Sequence, residues 1–239
     1  MAKNRTQTSR RLSYDTCHPE ELFISPLVEN ALLDFFDSQC FKGKDVLDVG
    51  CGSQPFKNNL ISAGANYYSL DVAEIDGVTI DYIQQLDTDF HIEKKFDFII
   101  CTEVLEHVVD WNTAFNDLNK LLRDNGEIVI TCPHFYQLHE KPHDYWRPTP
   151  FTFDHYARKY NLTVQKNEQL GSFWDVVGTV VNTSYGITRK QYNYRTLLVQ
   201  KVLVKLLKLS SKALGSRYLH TNFEVSSPLY MTNFVLLRK

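Results

Sequence analysis

Paired cysteines, long apolar runs and an excess of charge of one sign are all missing from this chain of 239 residues. Its five cysteines include no CxxC pair, which excludes a zinc finger or a secreted disulfide framework. No run of about 18 apolar residues is present to span a bilayer, and no apolar leader follows the amino terminus. A formal net charge of −2 gives no general attraction to nucleic acid. We therefore expect a reduced, cytoplasmic protein without a nucleic-acid partner.

Glycine and proline are also sparse, at 10 and 8 residues, while hydrophobic residues make up 43% of the chain. This composition is that of a globular protein and excludes collagenous and disordered classes. The first dozen residues contain four basic side chains and no acid, which predicts a mobile basic arm over residues 1–24. Residues 25–239 are expected to form a single domain.

Short, continuous apolar runs alternate with amphipathic segments from residue 44 onward. Such runs are typical of parallel strands that are covered on both faces by helices. The pattern predicts an α/β fold, a Rossmann-like, doubly wound, mostly parallel sheet of seven strands. The last strand is expected to be antiparallel, at or near an edge. Residues 171–227 exceed an ordinary connection and are expected to form a helical insertion before it.

The strongest motif follows the first strand, where Gly50 and Gly52 form a GxG turn after Asp48. Glycines at a strand end allow a sharp turn and the close approach of a ligand. Asp71 ends the next strand, where a carboxylate can accept hydrogen bonds from both ribose hydroxyls. A tight turn with a helix-capping aspartate is the alternative. Because Pro55 replaces the third glycine of a dinucleotide fingerprint, the pattern favours a nucleoside without a pyrophosphate, such as S-adenosylmethionine.

At this point the chain resembles the class I S-adenosylmethionine-dependent methyltransferases, and within them the methyltransferase type 11 group. Four blocks carry the resemblance, at residues 45–52, 67–72, 96–108 and 121–133. The resemblance implies that S-adenosylmethionine is the cofactor. A non-catalytic member of the fold is the alternative, although the intact glycines and Asp71 argue against it. The residues that the resemblance places around the cofactor are Asp48, Gly50, Cys51, Gly52, Asp71, Val72, Gln85, Leu86, Thr102, Glu103 and His107.

For two of these residues, Gln85 and His107, the sequence departs from the family pattern or leaves a second interpretation open. The family often has an aspartate that accepts from the adenine amino group, and Gln85 occupies that position here. A glutamine carbonyl can still accept the same hydrogen bond. For His107, contact with the cofactor and a hydrogen bond to a neighbouring backbone group are equally good interpretations.

A proline-bounded loop at residues 133–150 follows the fifth strand and is rich in histidine, aromatic and charged residues. It resembles a segment of methyltransferases that accompany bacterial surface-polysaccharide synthesis. Aromatic rings can stack on a sugar, and charged groups can bind its hydroxyls, so Asp144, Tyr145, Trp146 and Arg147 are predicted to bind the acceptor. A salt bridge between Asp144 and Arg147 that holds the loop is an alternative, and so is a packed aromatic corner that caps the sheet.

The same loop supplies the candidate general bases, which are His134, then His139, then His143, because histidine titrates near neutral pH. Its histidines and acids match no metal-site spacing, so no metal ion is expected. The predicted reaction is O-methylation of a sugar-containing acceptor, such as a nucleotide-linked or lipid-linked polysaccharide precursor. Methylation of a small aromatic compound or a quinone-like lipid is the alternative.

Within the insertion, Lys201, Lys205, Lys208 and Lys212 share one stripe of a predicted helix whose remaining positions are mostly Leu and Val. Residues 189–217 contain basic residues and no acidic one. Such a helix can lie peripherally on an anionic membrane, here the inner face of the cell membrane. A homodimer contact, or packing within the chain, is the other interpretation.

Overall fold

The computed structural model of the protein describes residues 24–88, 91–183, 193–226 and 228–239. The predicted basic arm lies outside the described residues apart from Ile24. Arg189 and Lys190 of the basic run also lie outside them. The expected arm and the amino-terminal part of that run therefore stay predictions.

Helices and strands alternate through the first two thirds of the chain, as the apolar pattern predicts. The elements are α1 (Ser25–Asp37), β1 (Asp45–Val49), α2 (Lys57–Ser62), β2 (Asn66–Asp71), β3 (Tyr82–Ile83), β4 (Phe96–Thr102), a 3₁₀ turn (Leu105–His107), α3 (Trp111–Leu121), β5 (Leu122–Pro133), α4 (Pro150–Lys159), β6 (Thr163–Leu170), α5 (Phe173–Thr183), α6 (Tyr194–Leu214), α7 (Arg217–Asn222) and β7 (Thr232–Arg238).

The sheet has seven strands in the order β3-β2-β1-β4-β5-β7-β6. Strands β1 to β5 pair in parallel, whereas β7 runs antiparallel to both β5 and β6. This confirms the predicted fold class and the antiparallel last strand. The third strand is shorter than its apolar run suggests, because only Tyr82 and Ile83 pair with β2 at the outer edge of the sheet.

Both faces of the central strands are buried, and all five residues of β1 are inaccessible. On one face the sheet packs against α3 and α4, with Trp111, Phe115 and Phe153 in the core. On the other it packs against α1 and α2, where the Phe98 ring contacts those of Phe35 and Phe41. Because both faces are filled, a ligand can reach the sheet only at its edges, and the carboxyl ends of the parallel strands are the usual place.

The predicted insertion contains the three helices α5, α6 and α7 within the part of the chain that the structure describes. It leaves the sheet after β6, which is parallel to β5, and returns in β7. Helix α6 packs against α5, and Trp174 Nε1 in α5 donates to the carbonyl of Phe223 at 2.8 Å. None of the described helices is long and apolar enough to cross a membrane.

Candidate functional site

A cleft of about 600 Å³ opens at the carboxyl ends of β1, β2 and β4. This volume is in the range of small-molecule sites. Seven residues predicted from the sequence to contact the cofactor line the cleft, together with two residues of the loop after β5 that were predicted to bind the acceptor or act as base. They are Gly50, Gly52, Asp71, Val72, Gln85, Leu86 and His107, with His143 and Tyr145.

The glycine turn gives the cleft its floor. Gly50 and Gly52 have φ angles of 64° and 51°, in the left-handed region that a side chain makes costly. The Gly52 N–H donates to Asp71 Oδ2 at 2.8 Å, so the turn is fixed against the end of β2. The absence of a β carbon at both positions leaves the backbone open to a ligand.

Asp71 is the buried acidic group of the cleft, with an exposed fraction of only 6%. Its Oδ1 accepts from the Val72 N–H at 2.7 Å, while Oδ2 accepts from Gly52. Each oxygen of an ionised carboxylate has two lone pairs, so both retain an acceptor site. A buried carboxylate with acceptor capacity, beside an open glycine turn, fits the ribose hydroxyls of an adenosine that carries an amino-acid tail.

Four other predicted cofactor residues do not line the cleft. Asp48 accepts from the Tyr67 hydroxyl at 2.8 Å, and burial together with Asp48 raises the pKa of that phenol. Cys51 and Thr102 are buried at strand ends. Glu103 has a left-handed φ of 53° and accepts from the Thr232 hydroxyl at 3.4 Å. These side chains support the turns from below the cleft, and their contact with a cofactor stays a prediction.

Gln85, the predicted adenine residue, is anchored by a residue that the sequence did not single out. Asp87 Oδ1 accepts from Gln85 Nε2 at 3.0 Å, and its Oδ2 accepts from the N–H groups of Val109 and Asp110 at 3.1 Å. The amide oxygen of Gln85 is then the group available to accept from an adenine. Other lining residues missed from the sequence are Ala73, Gln84, Val104, Val108, Val109 and Glu140.

His107 makes the hydrogen bond to a backbone group that one interpretation predicts, and its contact with the cofactor stays a prediction. It lines the cleft, and its Nδ1 lies 2.7 Å from the carbonyl oxygen of His143. Its Nε2 lies 3.6 Å from Oε1 of Glu106, a carboxylate with 0% exposure. The burial of Glu106 could not be read from the sequence, because an acidic residue in a turn after a strand is ordinarily exposed.

The three candidate bases occupy different surroundings. The ring of His134 stacks on Tyr230 with centroids 4.2 Å apart, and its Nδ1 lies 3.0 Å from the Pro148 carbonyl. His139 Nε2 faces Glu106 at 3.9 Å, and burial and His107 lower the pKa of His139. His143 lines the cleft, with Nδ1 3.1 Å from the Tyr145 hydroxyl. Of the three, only His143 lines the cleft within the described residues, and the choice of base among them stays a prediction.

The predicted acceptor-binding residues are divided in the same way. Arg147 donates to both carboxylate oxygens of Asp144, at 2.7 and 2.8 Å, and to the backbone carbonyls of Tyr136 and Gln137. Burial alone would raise the pKa of Asp144, but Arg147 and the His139 N–H outweigh it and lower that pKa. The structure therefore shows the salt bridge between Asp144 and Arg147 that was the alternative interpretation.

Trp146 lies apart from Tyr145, although the two are adjacent in sequence. Its Nε1 donates to the Val108 carbonyl at 2.8 Å. With Arg147 it lines a separate cavity of about 410 Å³. Of the four residues predicted to bind the acceptor, Tyr145 lines the cleft, and acceptor contact by all four stays a prediction.

Comparisons with known proteins agree with this geometry. A family model described as "Methyltransferase domain" matches residues 21–174. The ubiquinone biosynthesis O-methyltransferase of Actinobacillus pleuropneumoniae serotype 7 is 39% identical over 107 residues, which are 37% of this chain and 45% of the relative. That of Erwinia tasmaniensis is 36% identical over 103 residues, 37% of this chain and 42% of the relative. The chain thus matches less than half the length of these curated relatives.

Solved structures share the fold at low sequence identity. The S-adenosylmethionine-dependent methyltransferase from Mesorhizobium loti has a TM-score of 0.54 at 15% identity, covering 95% of this chain and 100% of its own. The 1,6-didemethyltoxoflavin-N1-methyltransferase of Burkholderia thailandensis, solved with S-adenosylhomocysteine, has a TM-score of 0.54 at 14% identity. It covers 92% of this chain and 79% of its own.

Replacing Asp71 by Asn tests the ribose contact. Hydrogen bonds to a charged group contribute about 1.5–3 kcal/mol, so we expect S-adenosylhomocysteine to bind about 10-fold to 100-fold more weakly by calorimetry. Asp76→Asn, at an exposed position nearby, is the matched control and should bind normally. Unchanged affinity in Asp71→Asn would remove this carboxylate from the cofactor site.

Replacing Gly52 by Val tests the glycine turn. A branched side chain is strained at a φ of 51° and intrudes on the cleft, so S-adenosylhomocysteine binding should be lost. Gly43→Val is the control, because Gly43 has a φ of 73° and open space around its missing β carbon. Both variants should lose about 1–2 kcal/mol of unfolding free energy in urea. Equal binding by the two variants would contradict a role for Gly52 in the cleft.

Proposed function

The chain belongs to the methyltransferase domain family, and from that premise we propose that it methylates a hydroxyl oxygen of a quinone-like lipid precursor. The family and the fold confirm the predicted class I S-adenosylmethionine-dependent methyltransferase and its cofactor. The glycine turn, Asp71 and the cleft all fit that cofactor. The acceptor is the part of the function that has to be argued from the remaining walls of the cleft.

Those walls are largely apolar, and this observation carries the proposal. Beyond the cofactor residues, Val104, Val108, Val109 and the ring of Tyr145 form most of the lining, and Gln84, Glu140 and His143 are its polar groups. Apolar and aromatic walls with a few polar groups suit a flat ring better than a sugar, which needs many hydrogen-bonding partners. His143 is a polar side chain placed to meet a single hydroxyl.

The loop that favoured a sugar from its sequence gives that interpretation less support in the structure. Asp144 and Arg147 already hydrogen-bond each other and backbone carbonyls. The curated relatives described above are ubiquinone biosynthesis O-methyltransferases by name. Both observations favour the quinone-like lipid, which was the alternative drawn from the sequence, over a polysaccharide precursor.

Catalysis by this chain consists of binding, orientation and removal of one proton. S-adenosylmethionine supplies a methyl group on a sulfonium that leaves as a neutral thioether. Asp71 and the glycine turn hold the cofactor, while Val104 and Tyr145 hold the acceptor ring against it and exclude water. When His143 donates its Nδ1 proton to the Tyr145 hydroxyl, its Nε2 can take the proton of the acceptor hydroxyl.

Acceptor identity can be measured directly by methyl transfer from labelled S-adenosylmethionine. A prenylated catechol should be methylated on oxygen, and a panel of nucleotide sugars should not. General-base catalysis contributes about 100-fold or more, so His143→Ala should lower the rate by about that factor. His155→Ala, at an exposed position on α4, is the control and should keep full activity. Methylation of the sugars alone would overturn the proposal.

A lipid acceptor is also consistent with the surface of α6, for which we propose an anionic lipid bilayer as the partner. Leu198, Val202, Leu206 and Leu209 are each at least half exposed on this helix. Helix α6 packs against α5. A stripe of exposed lysines flanks its apolar face, formed by Lys201, Lys205, Lys208 and Lys212. An apolar face beside a row of lysines matches the acyl and headgroup layers of an anionic membrane.

Vesicle binding tests this surface. Each lysine near an anionic membrane contributes about 1 kcal/mol, so Lys205→Glu with Lys208→Glu should weaken binding to phosphatidylglycerol-containing vesicles by about 30-fold or more. Lys42→Glu with Lys95→Glu changes the charge equally at exposed sites elsewhere and should bind normally. S-adenosylhomocysteine affinity should be the same in all three proteins. A dimer that Leu203→Asp dissociates, without vesicle binding, would instead assign the face to a second copy.

A further inference from the structure

The separate cavity that Trp146 and Arg147 line, called the second cavity below, takes no part in the proposed reaction. Its volume of about 410 Å³ is in the range of small-molecule sites. The starts of α3 and α4 and the end of the loop after β5 form its walls. Val109 lines both this cavity and the cofactor cleft, so the two are neighbours with one side chain between them.

Three aromatic rings form the apolar part of the second cavity. The buried ring of Trp111 contacts both of the others, with its centroid 6.3 Å from that of Trp146 and 5.5 Å from that of Tyr156. Trp146 is 46% exposed, and its Nε1 donates to the Val108 carbonyl at 2.8 Å, which fixes the orientation of the ring. A fixed and half-exposed indole is a surface on which the face of a ligand ring can stack.

Three hydroxyl groups on α4 line the same cavity. Thr149 is the N-cap residue of α4, where a threonine ordinarily accepts from a backbone N–H of the first turn, but its side chain makes no capping hydrogen bond. The hydroxyls of Thr152 and Tyr156 likewise have no partner within the described chain. Burial and Asp110 raise the pKa of Tyr156, so its hydroxyl keeps its proton and can donate. All three hydroxyls are therefore available to a ligand.

The two charged side chains that line the second cavity have opposite signs. Arg147 is already paired with Asp144. Hydrogen bonds from Thr113 and Asn112 lower the pKa of Asp110, which is therefore ionised. Its Oδ1 accepts from the Asn112 N–H at 2.8 Å and its Oδ2 from the Thr113 hydroxyl at 2.7 Å, and each oxygen keeps a second lone pair. This balance favours a neutral ligand and leaves acceptor sites for its hydroxyl groups.

We propose that the second cavity binds a neutral sugar ring. The C–H face of a sugar stacks on an indole, and its hydroxyls both donate and accept hydrogen bonds. These properties match the ring of Trp146, the three available hydroxyls and the Asp110 carboxylate. A purely apolar ligand would instead bury those polar groups without partners. The sugar is a ligand distinct from the methyl acceptor, so the proposal goes beyond the proposed function and does not rest on it.

Saturation-transfer NMR of the full chain tests the site with the methyl glycosides of glucose, galactose, mannose, rhamnose and N-acetylglucosamine. Saturating S-adenosylhomocysteine is present throughout, so that the cofactor cleft is filled. At least one glycoside should bind in the millimolar range. Trp146→Leu removes the stacking surface and should weaken that binding by about 10-fold. Thr149→Val removes one hydroxyl at nearly constant volume and should weaken it by about 2-fold to 10-fold.

Two variants outside the second cavity are the matched controls. Trp174 of α5 also donates its Nε1 to a backbone carbonyl at 2.8 Å, so Trp174→Leu makes the same change elsewhere. Thr163 is exposed at the start of β6, and Thr163→Val is the control for the hydroxyl. Both should bind the glycosides as the wild-type chain does. Calorimetry with S-adenosylhomocysteine reports whether each variant is folded, and the exposed Thr149 keeps the test open if Trp146→Leu fails to fold.

The proposal would be overturned if the wild-type chain bound none of the glycosides, or if the folded Thr149→Val and Trp146→Leu variants bound them with wild-type affinity. Binding of tetramethylammonium without any glycoside would also overturn it, because the three rings would then serve a cation. Loss of methyl transfer to every acceptor tried, with glycoside binding retained, would contradict the proposed function and leave the sugar site in place.

Discussion

The burial of Glu106 determines how the loop after β5 lies on the sheet. Its carboxylate has no exposure to solvent, and removing an ionised group from water costs several kcal/mol unless polar groups surround it. His139 of the loop and the Cys132 thiol of β5 both face the carboxylate, and burial and Glu106 raise the pKa of that thiol. The backbone carbonyl of Glu106 also accepts from the Tyr145 N–H at 2.8 Å. One residue thus fixes the loop through both its side chain and its main chain.

The cofactor half of the site could be predicted because its constraints are local. A turn that needs left-handed φ angles requires glycine, and the end of a buried strand fixes where Asp71 must lie, so Gly50, Gly52 and Asp71 were recognisable one by one. The continuous apolar strands made the sheet predictable for the same reason. The two-residue β3 was overestimated, because an edge strand is limited by its single neighbour and its own sequence does not record that limit.

The loop half could not be predicted, because each role there depends on a partner from another segment. The sequence shows that Asp144 and Arg147 are polar, but it does not show that they are satisfied by each other. In the same way, His139 faces Glu106 only after the loop has folded back across the end of β4. A polar loop was therefore taken as a polar binding surface, when most of its hydrogen bonds are used to hold its own shape.

The sheet topology places the insertion and the cleft at the same edge of the sheet. Strand β6 is parallel to β5, and Leu170 at its end lies level with Pro133 through their shared partner Thr232 in β7. The insertion that follows β6 therefore arises at the same edge of the sheet as the cleft. The exposed apolar face of α6 and the apolar lining of the cleft both suit an apolar molecule. The proposed acceptor, a lipid with a hydroxylated ring, suits both surfaces, because its tail would stay in the proposed bilayer while its ring enters the cleft.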